Sequence, residues 1–324
     1  MPVEPRQDTP LGDADCRLLR GAVDGHIHAC PHLNARRLNA LEAAEQADRA
    51  GFAGIGLMDN FSNSAAMAAL VGAARSQSDL DVFGGLIMEP QAGGISVEAV
   101  SAALGLAYHQ LDTPKRPCRF ISLPTHHTRH VAKAEGRSRA YIDACFAVPE
   151  SGPLPDAVLK ILDLIAASDV VLNVGHLSAL EALRVTELAK AAGVRRILVP
   201  ANSFTVHDVA DLTGLGAVVE LSFFFMSPAA EVGLTHVDKE RHTIGRISAS
   251  QMAELAMAAP PGSLILSSDC GVSILPTPVE GLLSFVRTLE ACGVPNNTLA
   301  EAIRHTPARL FKVGSSEATS LQSV

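Results

Sequence analysis

Two of the chain's 12 histidines stand two residues apart, in Asp24-Gly25-His26-Ile27-His28. Imidazole nitrogen is a good donor to a divalent cation, and residues i and i+2 of a strand share one face. On a strand, His26 and His28 therefore reach one ion together. Asp24 has the same parity, and either orients a ligand or hydrogen-bonds the backbone. An H-x-H also occurs by chance, so its position along the fold has to carry the reading. Gly175-His176 follows the apolar run DVVLNV, and Asp269 follows SLILSS. Taken singly, His176 reads as a polar residue beside a helix start at Ser178, and Asp269 as a cap or Asx-turn before Gly271. Taken together, His26, His28, His176 and Asp269 make a three-histidine, one-carboxylate set suited to a borderline divalent metal. Zinc is the first choice, with manganese and iron as alternatives.

Other groups cluster near the same places. His126, His127 and His130 fall within five residues; they read as a solvated turn, or as a source of ligands and acid/base groups. Arg129, Lys133, Arg137 and Arg139 follow in an otherwise acidic chain. Such a run is a solvated face, or a lid that attracts a carboxylate-bearing substrate. Glu89 precedes Pro90 and either faces the site or occupies a surface turn. In Phe223-Phe224-Phe225-Met226, strand alternation sends neighbours opposite ways. Some must pack, while one or two, Phe224 among them, wall a substrate pocket.

The elements that must position these groups are legible as alternation. Strand candidates fall at 21–27, 53–58, 81–88, 118–123, 169–175, 194–200, 216–222 and 262–268. Several are continuous apolar runs, as expected of parallel strands buried on both faces. Between them lie helical patterns such as PDAVLKILDLIAAS and VEGLLSFVRTLEACG. Eight strands alternating with helices predict a single-domain (β/α)8 TIM barrel over 21–313, with a flexible arm at 1–20 and a tail at 314–324. A doubly wound open sheet is the alternative, weakened because no G-x-G-x-x-G follows the first strand. In a parallel barrel the C-terminal strand ends carry the chemistry, and His26, His28, His176 and Asp269 all sit at such ends. Residues 124–154 read as a long non-periodic connection after strand four.

Composition bounds the function. Of 324 residues, 48% are hydrophobic and 19% charged, which permits a large core and excludes whole-chain disorder. The net charge of −8 disfavours nucleic-acid and anionic-membrane binding, and 4% aromatics with no Trp disfavours base stacking. The start lacks a basic-then-apolar signal segment, and no apolar run is long enough to span a membrane. The six cysteines form no C-x-x-C pair, so a reducing cytoplasm is expected. The expected partner is a small-molecule substrate, and a homo-oligomer stays open.

The D-x-H-x-H after strand one, the His after strand five, the Ser-Asp at strand eight and the terminal HTPARLFKV resemble the amidohydrolase superfamily of metal-dependent hydrolases, over roughly residues 21–313. That resemblance implies a (β/α)8 barrel with one or two divalent metals, a metal-activated water as nucleophile, and Asp269 as proton acceptor. GGLIMEPQAGGISVEAVSAALG, ISLPT and LNVGHLSALEALRVTELAKAAGVRRILV resemble a divergent branch of it, which implies His130 as the loop histidine of the site; His126 is the second choice. The chain also departs from the superfamily pattern. Strand four ends Ser122-Leu123-Pro124-Thr125 without a bridging Lys or Glu. Strand six ends Val199-Pro200-Ala201-Asn202 without its His, the nearest being His207. Where the branch tends to place a Lys and a His after strand two, Met58 and Asn60 stand. One metal is therefore expected rather than two.

Three competing readings follow. Related barrels run lyase chemistry, decarboxylation or hydration of a small acid, with the same ligands. A polymerase-and-histidinol-phosphatase-type phosphoesterase would use Asp59 and Glu89. A non-catalytic relative would have lost the metal site.

Overall fold

The computed structural model describes residues 12–107, 116–232, 234–235, 241–242 and 245–314. Eight parallel strands run in sequence order around a barrel: β1 (Val23–Ile27), β2 (Gly54–Leu57), β3 (Asp81–Ile87), β4 (Cys118–Ser122), β5 (Val171–Asn173), β6 (Ile197–Pro200), β7 (Val218–Ser222) and β8 (Leu264–Ser267). The ends meet through an Ile27–Cys270 bridge, which excludes the open doubly wound sheet. Each strand is followed by a helix on the outside: α1 (Ala40–Arg49), α2 (Ser64–Ala74), α3 (Val97–Gly105), α4 (Asp156–Ser168), α5 (Ala179–Ala191), α6 (Val206–Gly214), α7 (Ala249–Ala258) and α8 (Pro278–Ala291). Capping boxes at Asn39, Ser178, Thr205, Ser248 and Thr277 fix where five of these helices begin.

Two cores result. The larger lies between the barrel wall and the helices. The smaller fills the barrel itself with Val23, Phe83, Phe120, Val171, Leu198 and Ile265, and is closed from below by Leu310 and Phe311 of the terminal helix Thr306–Phe311. Phe311 stacks on Phe83 with ring centroids 4.8 Å apart. Gly25 makes room for it: a Cβ there would stand 2.5 Å from the Phe311 ring. So the interior is packed at the N-terminal end, and only the C-terminal end is left for a site.

Two expected segments differ in form. Seven residues of the expected arm, Asp13–Leu19, form a helix whose Leu19 is fully buried. Residues 1–11 and 315–324 lie outside the described residues. The connection 124–154 was expected to be irregular, and it carries two short helices, Arg129–Ala134 and Arg139–Ala144. Thr128 and Ser138 cap them by accepting from Val131 N and Tyr141 N. Six residues apiece are too few to show a helical period. No helix among the described residues is long and apolar enough to cross a membrane.

Candidate metal centre

The backbone at the barrel closure brings the first and last strands' side chains together. His28 N donates to Cys270 O at 2.8 Å, and Asp269 N donates to His26 O at 2.9 Å. Asp269 holds a left-handed φ of 48°, a conformation that Asp tolerates better than most residues and that recurs at functional sites. Its carboxylate Oδ1 then lies 3.4 Å from His26 Nε2 and 3.3 Å from His28 Nε2. One ligand atom from each of the three residues lies within 4.8 Å of the others.

The register of β1 shifts between Asp24 and Ile27. That irregularity breaks the simple alternation that gave Asp24 the parity of the histidines. Asp24 is fully buried and accepts from Ser268 N at 3.1 Å and His26 N at 3.2 Å. It hydrogen-bonds the backbone where β1 and β8 part, and burial pushes its carboxyl up to about 7.

Beneath His26 lies a carboxylate that sequence reasoning missed. Glu220 on β7 is 1% exposed. Its Oε1 stands 3.1 Å from His26 Nδ1 and accepts from Ser267 Oγ at 2.7 Å. The signal was present: a lone acid in the apolar VVELS has the parity of Val218 and Ser222. The contact with Glu220 fixes the ring so that Nε2 faces Asp269.

The site's charge pattern suits a cation. Burial opposes charging of His26, yet Asp269 and Glu220 together raise it to about 9: two carboxylates hold a positive charge between them. Burial, then Arg36, keeps His28 well below the usual histidine range, so its lone pair is available. Buried His28 Nδ1 and Glu220 Oε2 find no hydrogen-bond partner among the described residues. The two separations from Asp269 Oδ1 to the histidine nitrogens, 3.4 and 3.3 Å, match the edge of a tetrahedron with bonds of ~2.0–2.1 Å. Among the described residues, two imidazoles and a carboxylate therefore fit one divalent metal.

The centre opens into a cavity of about 70 Å³ that is continuous with solvent. His176, His126 and Phe224 line it, together with Phe225, Asn173 and Thr125. His176 stands outside the tight three-residue set but shares its cavity and field. Burial lowers it to about 4, against the pull of Asp269. Gly175 aims it: φ is +66°, and a Cβ would meet Pro124 O at 2.2 Å. His176 N donates to that same carbonyl at 3.2 Å.

The loop histidines part company. His126 faces His176 with ring centroids 6.0 Å apart. His127 turns away, with Nε2 3.0 Å from Ala144 O and its ring against Tyr141. His130 is half-buried on Arg129–Ala134 and is not among the lining residues, although its charge bears on His176. Glu89 is buried and does not line the cavity. Its carboxylate accepts from Thr125 N at 2.6 Å, His126 N at 2.6 Å and His127 N at 3.2 Å, so it anchors the loop that presents His126. Asp59 accepts from Phe61 N at 2.8 Å and Ser62 Oγ at 2.6 Å. The phosphoesterase alternative needed both as ligands; neither joins the three-residue set.

The basic loop is occupied elsewhere. Arg137 lies 3.8 Å from Glu135 and over the Tyr141 ring, Arg139 pairs with Asp143 at 2.8 Å, and Lys133 is exposed. Arg129 is half-buried and, like the other three, does not line the cavity.

The barrel has counterparts among solved structures. An amidohydrolase from Pseudomonas aeruginosa superposes with a TM-score of 0.56 at 10% identity, covering 94% of this chain and 99% of that one. A dihydroorotase gives 0.52 at 13% identity, over 91% of this chain and 69% of that one. A Xaa-Pro dipeptidase with bound methionine in its active site gives 0.51 at 15%, over 91% and 75%. At such identities the likeness is one of fold. No curated protein matches the sequence. Residues 21–220, more than half of the chain, match the model of a family of unknown function, DUF6282. The chain therefore belongs to that family, and it shares its barrel fold with these solved structures.

Proposed function

We propose that the protein is a metal-dependent hydrolase that cleaves a carbonyl-type bond, an amide, lactone, ester or imide, of a small molecule. The observation that carries this reading is the convergence of His26 Nε2, His28 Nε2 and Asp269 Oδ1 at the open end of the barrel. One divalent cation, zinc before manganese or iron, bound there supplies a Lewis acid and lowers the pKa of water. The chain's own residues do the rest. Glu220 fixes the His26 ring, and the closure between β1 and β8 fixes Asp269 against both histidines. Asp269 is the proton acceptor, and returns that proton to the leaving group. His126 and His176 supply imidazoles on the wall facing the substrate, while Phe224 and Phe225 restrict water.

Turnover by the zinc-loaded protein on a panel of small amides, lactones, esters and imides tests the reading. Asp269→Asn keeps the shape but not the base. It is expected to lose about 10²–10⁴-fold in turnover while retaining most of its metal on the histidines. Full activity in the metal-loaded variant removes Asp269 from proton transfer. Carbon dioxide release or water uptake in place of bond hydrolysis would reassign the site to the lyases.

A further inference from the structure

Arg36 belongs to the loop between β1 and α1, and its side chain forms part of the cavity wall. The loop is tied down. Cys30 N donates to Leu38 O at 2.8 Å, and Ala40 N donates to Cys30 O at 2.9 Å. Arg37 N donates to Gly271 O at 2.7 Å and Arg37 Nη1 to Leu275 O at 3.0 Å, so the loop is stitched to the segment that follows Asp269. Arg36 Nη2 donates to His32 Nε2 at 2.8 Å. Burial first, and Arg36 next, lower His32 to about 4, so this partner is neutral. Among the described residues the buried Arg36 Nε finds no hydrogen-bond partner. Asp269 and Asp59 act on the guanidinium through space, but their close contacts are to His28 and His32. Among the described residues no carboxylate is in ion-pair contact with Arg36, so a positive charge with an unspent Nε–H borders the cavity beside the metal centre.

A guanidinium presents a planar fork that matches a carboxylate, and although burial lowers Arg36 to about 10, it stays charged near neutral pH. The arginines of the 124–154 loop do not reach the cavity, which leaves Arg36 as the arginine among the lining residues. We propose that Arg36 receives a carboxylate of the substrate, so that the site acts on small acids whose scissile bond is presented to His26, His28 and Asp269. This rests on the hydrolase reading and names its substrate class. A single guanidinium balances one carboxylate, whereas a doubly charged phosphate would leave excess negative charge facing Asp269 and Asp59.

Calorimetric titration of the full-length protein with glutarate, glutaramide and inorganic phosphate decides it, in wild type, Arg36→Met and Arg36→Lys. The preference is read in metal-stripped protein, because a bound cation attracts carboxylates by itself. Wild type is expected to prefer glutarate over glutaramide by about tenfold or more. Arg36→Met loses about tenfold in glutarate affinity with glutaramide unchanged, and Arg36→Lys falls between, a point charge replacing a fork. An equal preference in Arg36→Met, or none in wild type, overturns the proposal. Phosphate binding tighter than glutarate through Arg36 overturns the carboxylate class. If circular dichroism shows Arg36→Met unfolded, Arg36→Lys decides, and wild-type glutarate affinity there overturns the proposal. Zinc uptake is read separately on the same proteins. Its absence would sink the hydrolase reading, while the stripped protein still decides the role of Arg36.

Discussion

A carboxylate beneath a ligating imidazole orients the ring and raises its basicity, and its loss typically costs 10–100-fold in metal affinity. Glu220 stands in that relation to His26. Glu220→Gln should therefore weaken zinc binding by about 10–100-fold in a competition titration, with the fold retained. An unchanged affinity would reduce Glu220 to a packing residue. At this scale the sequence was informative where spacing did the work. His26, His28 and Asp269 could be read from their places at strand ends, because a parallel barrel forces such ends together. Glu220 was readable as an acid out of place in an apolar strand. Arg36 was not, because a loop has no periodicity to say which way it turns. Glu89 and His127 show the converse. Their types suit a site, but local backbone hydrogen bonds claim them.

At the scale of elements, the barrel depends on what plugs it. Phe311 is 1% exposed, and its helix closes the interior core. Phe311→Ala should cost about 3–5 kcal/mol in denaturant unfolding. A loss under about 1 kcal/mol would mean that the barrel floor repacks freely. The end of α4 is held electrostatically. Asp169 Oδ2 lies 2.6 Å from Lys312 Nζ and 2.5 Å from Arg196 Nη2, and Oδ1 lies 3.2 Å from Arg195 Nη2. Burial alone would raise Asp169, but the Lys312 hydrogen bond and the arginines hold it below its ordinary 3.8. A carboxyl depressed on folding stabilises above its unfolded value, and that stability is lost as pH falls through the folded value. Melting temperature should therefore drop below about pH 4. Asp169→Asn, which tolerates the same left-handed φ of 50°, should lack this component. Parallel pH profiles for the two proteins would contradict the assignment. The strands themselves were legible because runs buried on both faces are apolar throughout. The shift within β1 was not, since sequence alternation carries no sign of a local register change.

For the whole molecule, eight strands and a shared floor place His26, His28, His176 and Asp269 at one mouth, and low identity to the solved barrels leaves the ligand set to be argued from this chain alone. The arrangement predicts a division of labour. The packed interior core and the terminal helix carry stability, while the mouth carries the metal, so losing the ligands should leave the barrel standing. Metal content of the purified protein, determined by elemental analysis alongside circular dichroism, tests this most directly. The account predicts one equivalent of divalent metal per wild-type chain, and none in the His26→Ala, His28→Ala double variant with an unchanged spectrum. A double variant that retains stoichiometric metal at wild-type affinity would contradict it.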